Sequence, residues 1–166
     1  MKRGLFYLVV ALQALFLVTM SVSYYAMDHW GEKIKLETEP VDPRDPFYGD
    51  YVTLQYEIES FSEDQWRAEQ IPNRGDIVYL IVEEDGEGTF ELVEASPHSS
   101  EPSEGQVELK AKYEWHNRTE QIHQVSIGLD RYFIEENTGE DFEQTEQHVV
   151  EVIQAPWGQR KITSIE

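Results

Sequence analysis

The sequence predicts a mainly β protein, with an N-terminal transmembrane helix followed by one antiparallel β-sandwich or partly closed barrel domain with one or two short helices. Residues 5–27 carry no charged side chain. The rest contains some seven or eight short segments with the apolar pattern of strands. Turn-forming residues separate these segments, which is typical of antiparallel folds. We therefore divide the chain into a membrane anchor at residues 1–27 and an acidic extracytoplasmic β domain at residues 28–166.

The uncharged run Leu5–Met27 predicts the membrane helix. A helix of this length reaches ~35 Å, enough to cross a hydrocarbon core of ~30 Å. Lys2 and Arg3 precede the run, and basic residues favour the cytoplasmic side. We therefore expect a single-pass protein of the cell membrane with its domain outside the cytoplasm. A cleaved signal peptide is the alternative, because Ser21 and Ser23 have the spacing of a cleavage site.

Aromatic residues favour retention of the anchor over cleavage. Tyr24 and Tyr25 continue the apolar run and Trp30 follows it, and such amphipathic rings prefer the membrane interface. The chain contains no cysteine, so it has no thiol for a lipid anchor and no disulfide. The exported domain must therefore be stable through packing alone, which fits a bacterial protein.

The charge of the domain disfavours two classes of partner. All 33 acidic residues follow residue 27, against 11 of the 13 lysines and arginines, so this part carries a formal charge of −22. Nucleic acid and anionic lipid both attract basic surfaces. We expect no nucleic-acid binding, and we interpret the spread of acids as a solvated surface.

Strands follow from apolar alternation or from short apolar runs between turns. The run 77–82 is continuously apolar, so we expect it to be covered on both faces. The last two strands form a hairpin. The predicted strands are 34–39, 51–58, 77–82, 89–95, 107–113, 149–154 and 160–165, with further strand-like pieces at 122–130 and 132–134.

Short helices and turns complete the pattern. Ser62 with Gln65 resembles a capping box and predicts a helix over 63–70 that ends before Pro72. A second short helix is predicted over 140–147. Residues 96–105 are rich in Ser, Pro and Glu and predict a mobile surface loop. Turn residues occur at 73–76, 85–88, 137–139 and 155–158.

Proline and aspartate crowd the segment between the first two strands. Pro40, Pro43 and Pro46 predict a stiff loop, and Gly49 permits a tight turn before the next strand. Arg44 could bridge the neighbouring aspartates. One interpretation is a loop stapled by its own ion pairs, which needs no ligand. The other is an exposed docking surface.

The end of this segment carries a recognisable motif. Its residues are Gly49, Asp50, Tyr51, Leu54 and Tyr56. In them the chain resembles the GDYXXLXY family of bacterial membrane-anchored proteins of unknown function, and residues 131–136 followed by Gly139 resemble its second landmark. The resemblance spans residues 34–165. It implies an N-terminal anchor, a mostly β domain and a multispanning membrane protein as partner, and it implies no activity.

We therefore expect a non-enzymatic accessory or binding module that acts with another membrane protein, without a cofactor, a catalytic residue or a metal site. Its predicted binding surface consists of Arg44, Asp45, Tyr48, Asp50 and Tyr51. One alternative is an extracytoplasmic hydrolase of envelope material, with a carboxylate pair drawn from Asp42, Asp45, Asp50 and Glu135 beside Arg131. The other is a divalent-cation site, because Asp42, Asp45 and Asp50 offer hard oxygen ligands to Ca²⁺.

Other signals are weaker. Residues 74–78 resemble the strand start of signal peptidase-like barrels, but no lysine in an apolar strand accompanies a matching serine. Trp66, Trp115 and Trp157 would suit stacking on sugars, yet such rings more often fill a β core. Of these, we expect Trp157 to be the most exposed. The five histidines show no zinc-binding spacing.

Overall fold

An apolar helix, α1 (Lys2–Trp30), precedes the β domain. The structure is a computed structural model that describes residues 2–38, 51–133 and 148–166. Every side chain from Arg3 to Val22 is exposed, and the helix is long and apolar enough to cross a membrane. The predicted helix is therefore confirmed, and it continues beyond Met27 to Trp30.

Ten strands follow within the described residues. The additional strand is β3, which at three residues is too short for alternation to reveal. Two 3₁₀ turns, Glu57–Glu59 and Glu63–Gln65, flank it. The strands are β1 (Glu32–Glu37), β2 (Tyr51–Thr53), β3 (Ser60–Ser62), β4 (Ile77–Glu84), β5 (Phe90–Ser96), β6 (Gln106–Asn117), β7 (Ile122–Ser126), β8 (Arg131–Phe133), β9 (Val149–Gln154) and β10 (Arg160–Ile165).

The described strands form antiparallel sheets, as predicted. A five-stranded sheet has the order β3-β7-β6-β4-β5, a three-stranded sheet has the order β1-β9-β10, and β2 pairs with β8. The Gln154 side chain of β9 donates a 2.6 Å hydrogen bond to the Glu108 carbonyl of β6, which ties the two larger sheets together. The mainly β fold class is confirmed.

One apolar core joins the sheets. Alternate residues of β4 and β6 turn towards it, which is the period-two pattern of a half-buried strand. Residues of β1 and β9 close it from the other side, so burial of this area supplies most of the driving force for folding. The fully buried members include Ile34, Leu36, Val78, Leu80, Val82, Leu109, Tyr113, Val150 and Val152.

The prediction of one strand over 51–58 was wrong. β2 ends at Thr53, and Tyr56 forms only an isolated bridge with Thr38. The Glu59 carboxylate then accepts a 3.2 Å hydrogen bond from the Tyr56 N–H, which holds the chain in a 3₁₀ turn instead of a strand. Alternate residues of this segment nevertheless turn inward, because Leu54, Tyr56 and Ile58 are buried.

The predicted helix over 63–70 is also wrong in length. The capping box is present, but the 3₁₀ turn ends at Gln65. Trp66 then bridges to Ala95, and the N–H of Arg67 donates to the Ala95 carbonyl at 2.8 Å. The edge strand β5 therefore takes the backbone groups that a longer helix would have used.

Two further strands differ from expectation. β7 ends at Ser126 because the next N–H, of Ile127, donates to Glu59 at 2.7 Å. In β4 both faces are covered only over residues 80–82, since Ile77 is 48% exposed. The predicted turn at 137–139 and helix over 140–147 lie outside the described residues.

Candidate functional site

Most of the predicted binding surface lies outside the described residues. Tyr51 opens β2, and its backbone pairs with that of Phe133 in β8. The surface therefore stays a prediction, and the structure describes the strand that follows it. The residues outside the described ranges are Arg44, Asp45, Tyr48, Gly49 and Asp50, with Asp42 and Glu135 of the alternatives.

The motif strand and the second landmark lie side by side. Val52 of β2 faces Tyr132 of β8, and Thr53 faces Arg131. The Arg131 side chain is 66% exposed, and its Nε lies 3.7 Å from a carboxylate oxygen of Asp130. Arg131 is thus a surface residue, whereas a deep pocket holding Arg131 and two of the carboxyls would have favoured the hydrolase alternative.

The second half of the motif is locked into the core through Tyr56. The ring is fully buried, and its hydroxyl donates a 3.1 Å hydrogen bond to the Leu129 carbonyl just before β8. Glu59, only 5% exposed, accepts from the Tyr56 N–H through one oxygen and from the Ile127 N–H through the other. One acid therefore joins the end of the motif to the end of β7.

Burial shifts the pKa values of both Glu59 and Tyr56. Burial raises the pKa of Glu59 to about 7, although the two backbone N–H groups and the more distant Arg160 favour its charged form. Burial, with smaller contributions from Glu59 and Asp130, also raises the pKa of Tyr56 above its usual range. With both oxygens bonded to backbone N–H groups, the carboxyl fixes the local backbone geometry.

The end of α1 is part of the folded domain. Met27 is 1% exposed and packs with Ile153 and Ala155 of the β9–β10 hairpin. One residue, Gly31, separates α1 from β1, and its N–H donates to the Met27 carbonyl at 2.8 Å. A Cβ at Gly31 would meet Ile153 at 2.2 Å, so only glycine fits this approach.

We call the contact between the end of α1 and the β9–β10 hairpin the junction. Polar contacts extend this junction along the helix. Ser23 donates a 2.5 Å hydrogen bond to the Gln159 side chain in the hairpin turn. Lys161 of β10 pairs with Asp28 at 2.7 Å, and its ammonium lies 4.3 Å from the centre of the Tyr24 ring. Lys161 is only 12% exposed and Asp28 is 49% exposed, so the lysine side of this pair is shielded more than in an ordinary surface salt bridge.

The model of the family described as GDYXXLXY protein matches residues 13–165. The chain belongs to the GDYXXLXY family. Comparisons with curated proteins and with solved structures gave no match. The family match covers the helix from residue 13 onward, the motif and the hairpin that holds the helix.

A cleft opens beside the junction of this GDYXXLXY protein. It has a volume of about 430 Å³ and lies between the hairpin turn and the loop that precedes β6. Arg160 lies in it and donates one Nη to the Lys110 carbonyl, while its other Nη is buried without a hydrogen-bond partner among the described residues. The lining residues include Glu32, Tyr79, Pro102, Glu108, Lys110, Pro156, Trp157 and Arg160.

A second polar cluster, which we call the histidine cluster, lies at the far end of β6. His116 and His123 face each other across β6 and β7, with ring centres 4.4 Å apart and planes at 15°. His123 is fully buried, and its Nδ1 lies 2.7 Å from the Tyr113 hydroxyl. Phe61 and Trp66 stack on its ring. Burial, assisted by His116, lowers the pKa of His123.

The tryptophans divide between core and surface. Trp66 is 8% exposed and fills the histidine cluster. Trp157 is 48% exposed, as expected for its turn, but Trp115 is exposed to the same extent, at 50%. They belong to different strands and turns, and they do not form a shared sugar-stacking platform.

The metal and peptidase signals find no support in the described parts of the chain. No group of three or more His, Asp or Glu side chains there could hold a metal ion, and the proposed Ca²⁺ ligands Asp42, Asp45 and Asp50 lie outside those parts. Residues 73–76 form the predicted turn, in which Asp76 accepts a 2.8 Å hydrogen bond from the Asn73 N–H.

The sequence alone does not identify the contact between Tyr56 and Glu59, the junction or the histidine cluster. Glu59 lies among 33 acids, and no local pattern distinguishes it. His116 and His123 do carry a signal, because they are equally distant from the turn at 118–121 and a hairpin pairs such positions. The contact between Ser23 and Gln159 joins residues 136 apart in sequence, which one sequence cannot reveal.

Proposed function

We propose that this GDYXXLXY protein is a non-enzymatic accessory module that stays anchored in the cell membrane with its domain on the extracytoplasmic side. Its partner is a multispanning membrane protein. The observation that carries the proposal is the docking of α1 onto the β9–β10 hairpin. Met27 is buried there, and Gly31 leaves no room for a flexible linker.

A docked anchor suits a module that binds within one membrane. Sharing the membrane with the partner raises the effective concentration of the binding surface. A fixed orientation also lowers the rotational freedom that association would cost. A modest surface then suffices for a stable complex, and no large apolar patch on the domain is needed.

The predicted surface has a suitable support in the fold. Tyr51 begins β2, which pairs with β8, and the same segment is then fixed by the buried Leu54 and Tyr56. The strand that follows the predicted surface is therefore fixed in the fold. We assign partner binding to Arg44, Asp45, Tyr48, Asp50 and Tyr51.

Topology is tested first, by labelling with a membrane-impermeant maleimide. Because the chain has no cysteine, Ser100→Cys in the exposed loop before β6 and Lys2→Cys at the start of α1 give single labels. We expect intact cells to label only Ser100→Cys and permeabilised cells to label both. Labelling of only Lys2→Cys in intact cells would overturn the proposed orientation.

Partner binding is tested by crosslinking the intact protein in its membrane, followed by affinity recovery and mass spectrometry. We expect a multispanning membrane protein among the products, and Arg44→Ala and Tyr48→Ala should each lower its recovery about tenfold, which is ~1.4 kcal/mol. Arg74→Ala is the matched control, since Arg74 is 81% exposed and its ion pair among the described residues is with Glu114. Unchanged recovery in folded Arg44 and Tyr48 variants would refute this surface, and the absence of any membrane protein would refute the accessory role.

A further inference from the structure

We propose that the β9–β10 turn, residues 155–159, is a second membrane contact that lies in the interfacial region beside α1, with Trp157 as its anchoring side chain. The inference rests on the retained anchor of the proposed function. It adds a second point of attachment, so that the domain lies against the bilayer surface and does not stand on a single stem.

The depth of the turn follows from its contact with the helix. Gln159 accepts a hydrogen bond from Ser23, which lies seven residues before the end of α1 at Trp30. At 1.5 Å per residue, the turn reaches ~10 Å beyond the helix end towards the membrane. A span of ~20 residues that starts at Leu5 places the outer hydrocarbon boundary close to Tyr24. The turn is therefore level with that boundary.

The junction holds the turn at this depth. Ala155 packs on Met27, and Lys161 on the other side of the turn pairs with Asp28. The turn is closed by a 2.8 Å hydrogen bond from the Ala155 N–H to the Gln159 carbonyl. Because contacts exist on both sides of the turn, it cannot withdraw from the helix without breaking a buried apolar contact and a shielded ion pair.

The chemistry of the turn suits the interface. Residues 152–159 carry no charge, although the domain as a whole carries −22, so the acidity that disfavours lipid elsewhere is absent here. Trp157 is 48% exposed and its indole N–H is bonded to Gln159 at 2.8 Å. Tyr24, Tyr25 and Trp30 on the adjoining helix are also more than half exposed. Rings with one apolar and one polar edge are favoured at this level of a membrane.

Trp115 shows that exposure alone does not carry the inference. It is as exposed as Trp157, but it lies seven residues along β6 from Glu108, the residue that Gln154 contacts. At ~3.3 Å per residue, this is ~23 Å from the junction. Trp115 is therefore the matched control, because the same residue type with the same exposure is held away from the helix.

The test uses single cysteines in the full chain, reconstituted at low protein-to-lipid ratio in neutral phosphatidylcholine vesicles. Trp157→Cys, Trp115→Cys and Leu12→Cys each carry an environment-sensitive fluorophore, and lipids with a nitroxide at the headgroup or mid-chain quench it. We expect headgroup quenching at residue 157 at least threefold above that at residue 115. Residue 12 should be quenched best by the mid-chain nitroxide.

The outcomes separate the inference from the proposed function. Quenching at residue 12 with residue 157 as insensitive as residue 115 would overturn the second contact while the anchor stands. A failure of quenching at residue 12 would overturn the anchor, and the inference with it. A label at Pro156→Cys repeats the measurement without removing the tryptophan, and it must agree. No cysteine is placed at Gly158, because its φ of +87° disfavours any side chain.

Discussion

Glu59 and His123 are both buried among apolar side chains, but their polar atoms are satisfied to different extents. Both carboxylate oxygens of Glu59 accept backbone N–H groups. In the histidine cluster, Nδ1 of His123 meets a hydroxyl, whereas its Nε2 and both nitrogens of His116 have no hydrogen-bond partner among the described residues. The Glu59 site is thus specified by hydrogen bonds and the histidine cluster by ring packing.

The two sites constrain the fold in different ways. Hydrogen bonds to backbone dictate a chain path, and at Glu59 they fix the segment that follows the GDYXXLXY motif. Ring packing tolerates exchange of one ring for another, provided that volume is kept. Burial also raises the pKa of Glu59 and lowers the pKa of His123. The stability that each group contributes is therefore lost on opposite changes of pH.

The largest effect should come from removing the buried ring of Tyr56. We expect Tyr56→Ala to lower the free energy of unfolding by about 3–5 kcal/mol. The Tyr56 side chain is fully buried, and its removal leaves a cavity. Tyr56→Phe keeps the ring and loses only the bond to Leu129, which should cost about 1 kcal/mol. Urea unfolding of the full chain in detergent micelles measures both. Equal losses would mean that the hydroxyl, not the packing, holds the motif.

The next effect concerns the pH dependence at Glu59. In the unfolded chain this acid ionises near its usual pKa of 4.5, whereas burial raises its pKa to about 7 in the folded protein. Its contribution to stability is therefore full below pH 4.5 and is lost as the pH rises to about 7, by about 3 kcal/mol. Glu59→Gln should lack this loss, because its amide cannot ionise.

The measurement is the difference in unfolding free energy between the original protein and Glu59→Gln from pH 4.5 to 7.5. Glu87→Gln in the exposed turn before β5 is the control, and its difference from the original protein should stay flat. A constant difference for Glu59→Gln as well would show that Glu59 has an ordinary pKa.

The contrast between Glu59 and the histidine cluster also shows what a sequence can predict. The helix, the β9–β10 hairpin and the inward faces of β4 and β6 follow from charge, turns and alternation, because these are local consequences of burial. The break after Thr53 depends on a bond from Tyr56 to Glu59, and the end of β7 depends on the same acid 68 residues away. Such tertiary hydrogen bonds override a local pattern that favours a longer strand.

The candidate site was predictable only in part. The motif residues and their neighbour β8 were recognised, and the pairing of Thr53 with Arg131 places them together. Trp157 was expected to be exposed, but exposure acquires meaning only from the contact between Gln159 and Ser23. A hydrogen bond between a helix and a turn near the other end of the chain leaves no trace in the composition of either segment.

A smaller effect is expected on the acid side, at the histidine cluster. The unfolded chain binds a proton at His123 near pH 6.5, whereas burial and then His116 hold the folded pKa lower, with Glu63 acting weakly in the opposite direction. Stability is therefore lost as the pH falls below 6.5. The double variant Tyr113→Phe/His123→Phe removes both partners of the buried bond. Its stability relative to the original protein should rise between pH 6.5 and 5, and a fall over this range would contradict the assignment.

The smallest effect should have the opposite sign to most substitutions. His116→Phe preserves the stacked ring while it removes two buried nitrogens that have no partner in the described parts of the chain. Replacing an unsatisfied polar group by an apolar one of similar shape should stabilise the domain by up to about 1 kcal/mol. His98→Phe in the exposed loop before β6 is the control and should change little. Thermal unfolding at pH 7 compares the two. His116→Phe could instead destabilise the protein by more than His98→Phe does. In that case ring packing alone would not hold the histidine cluster, and the contrast with Glu59 would fail.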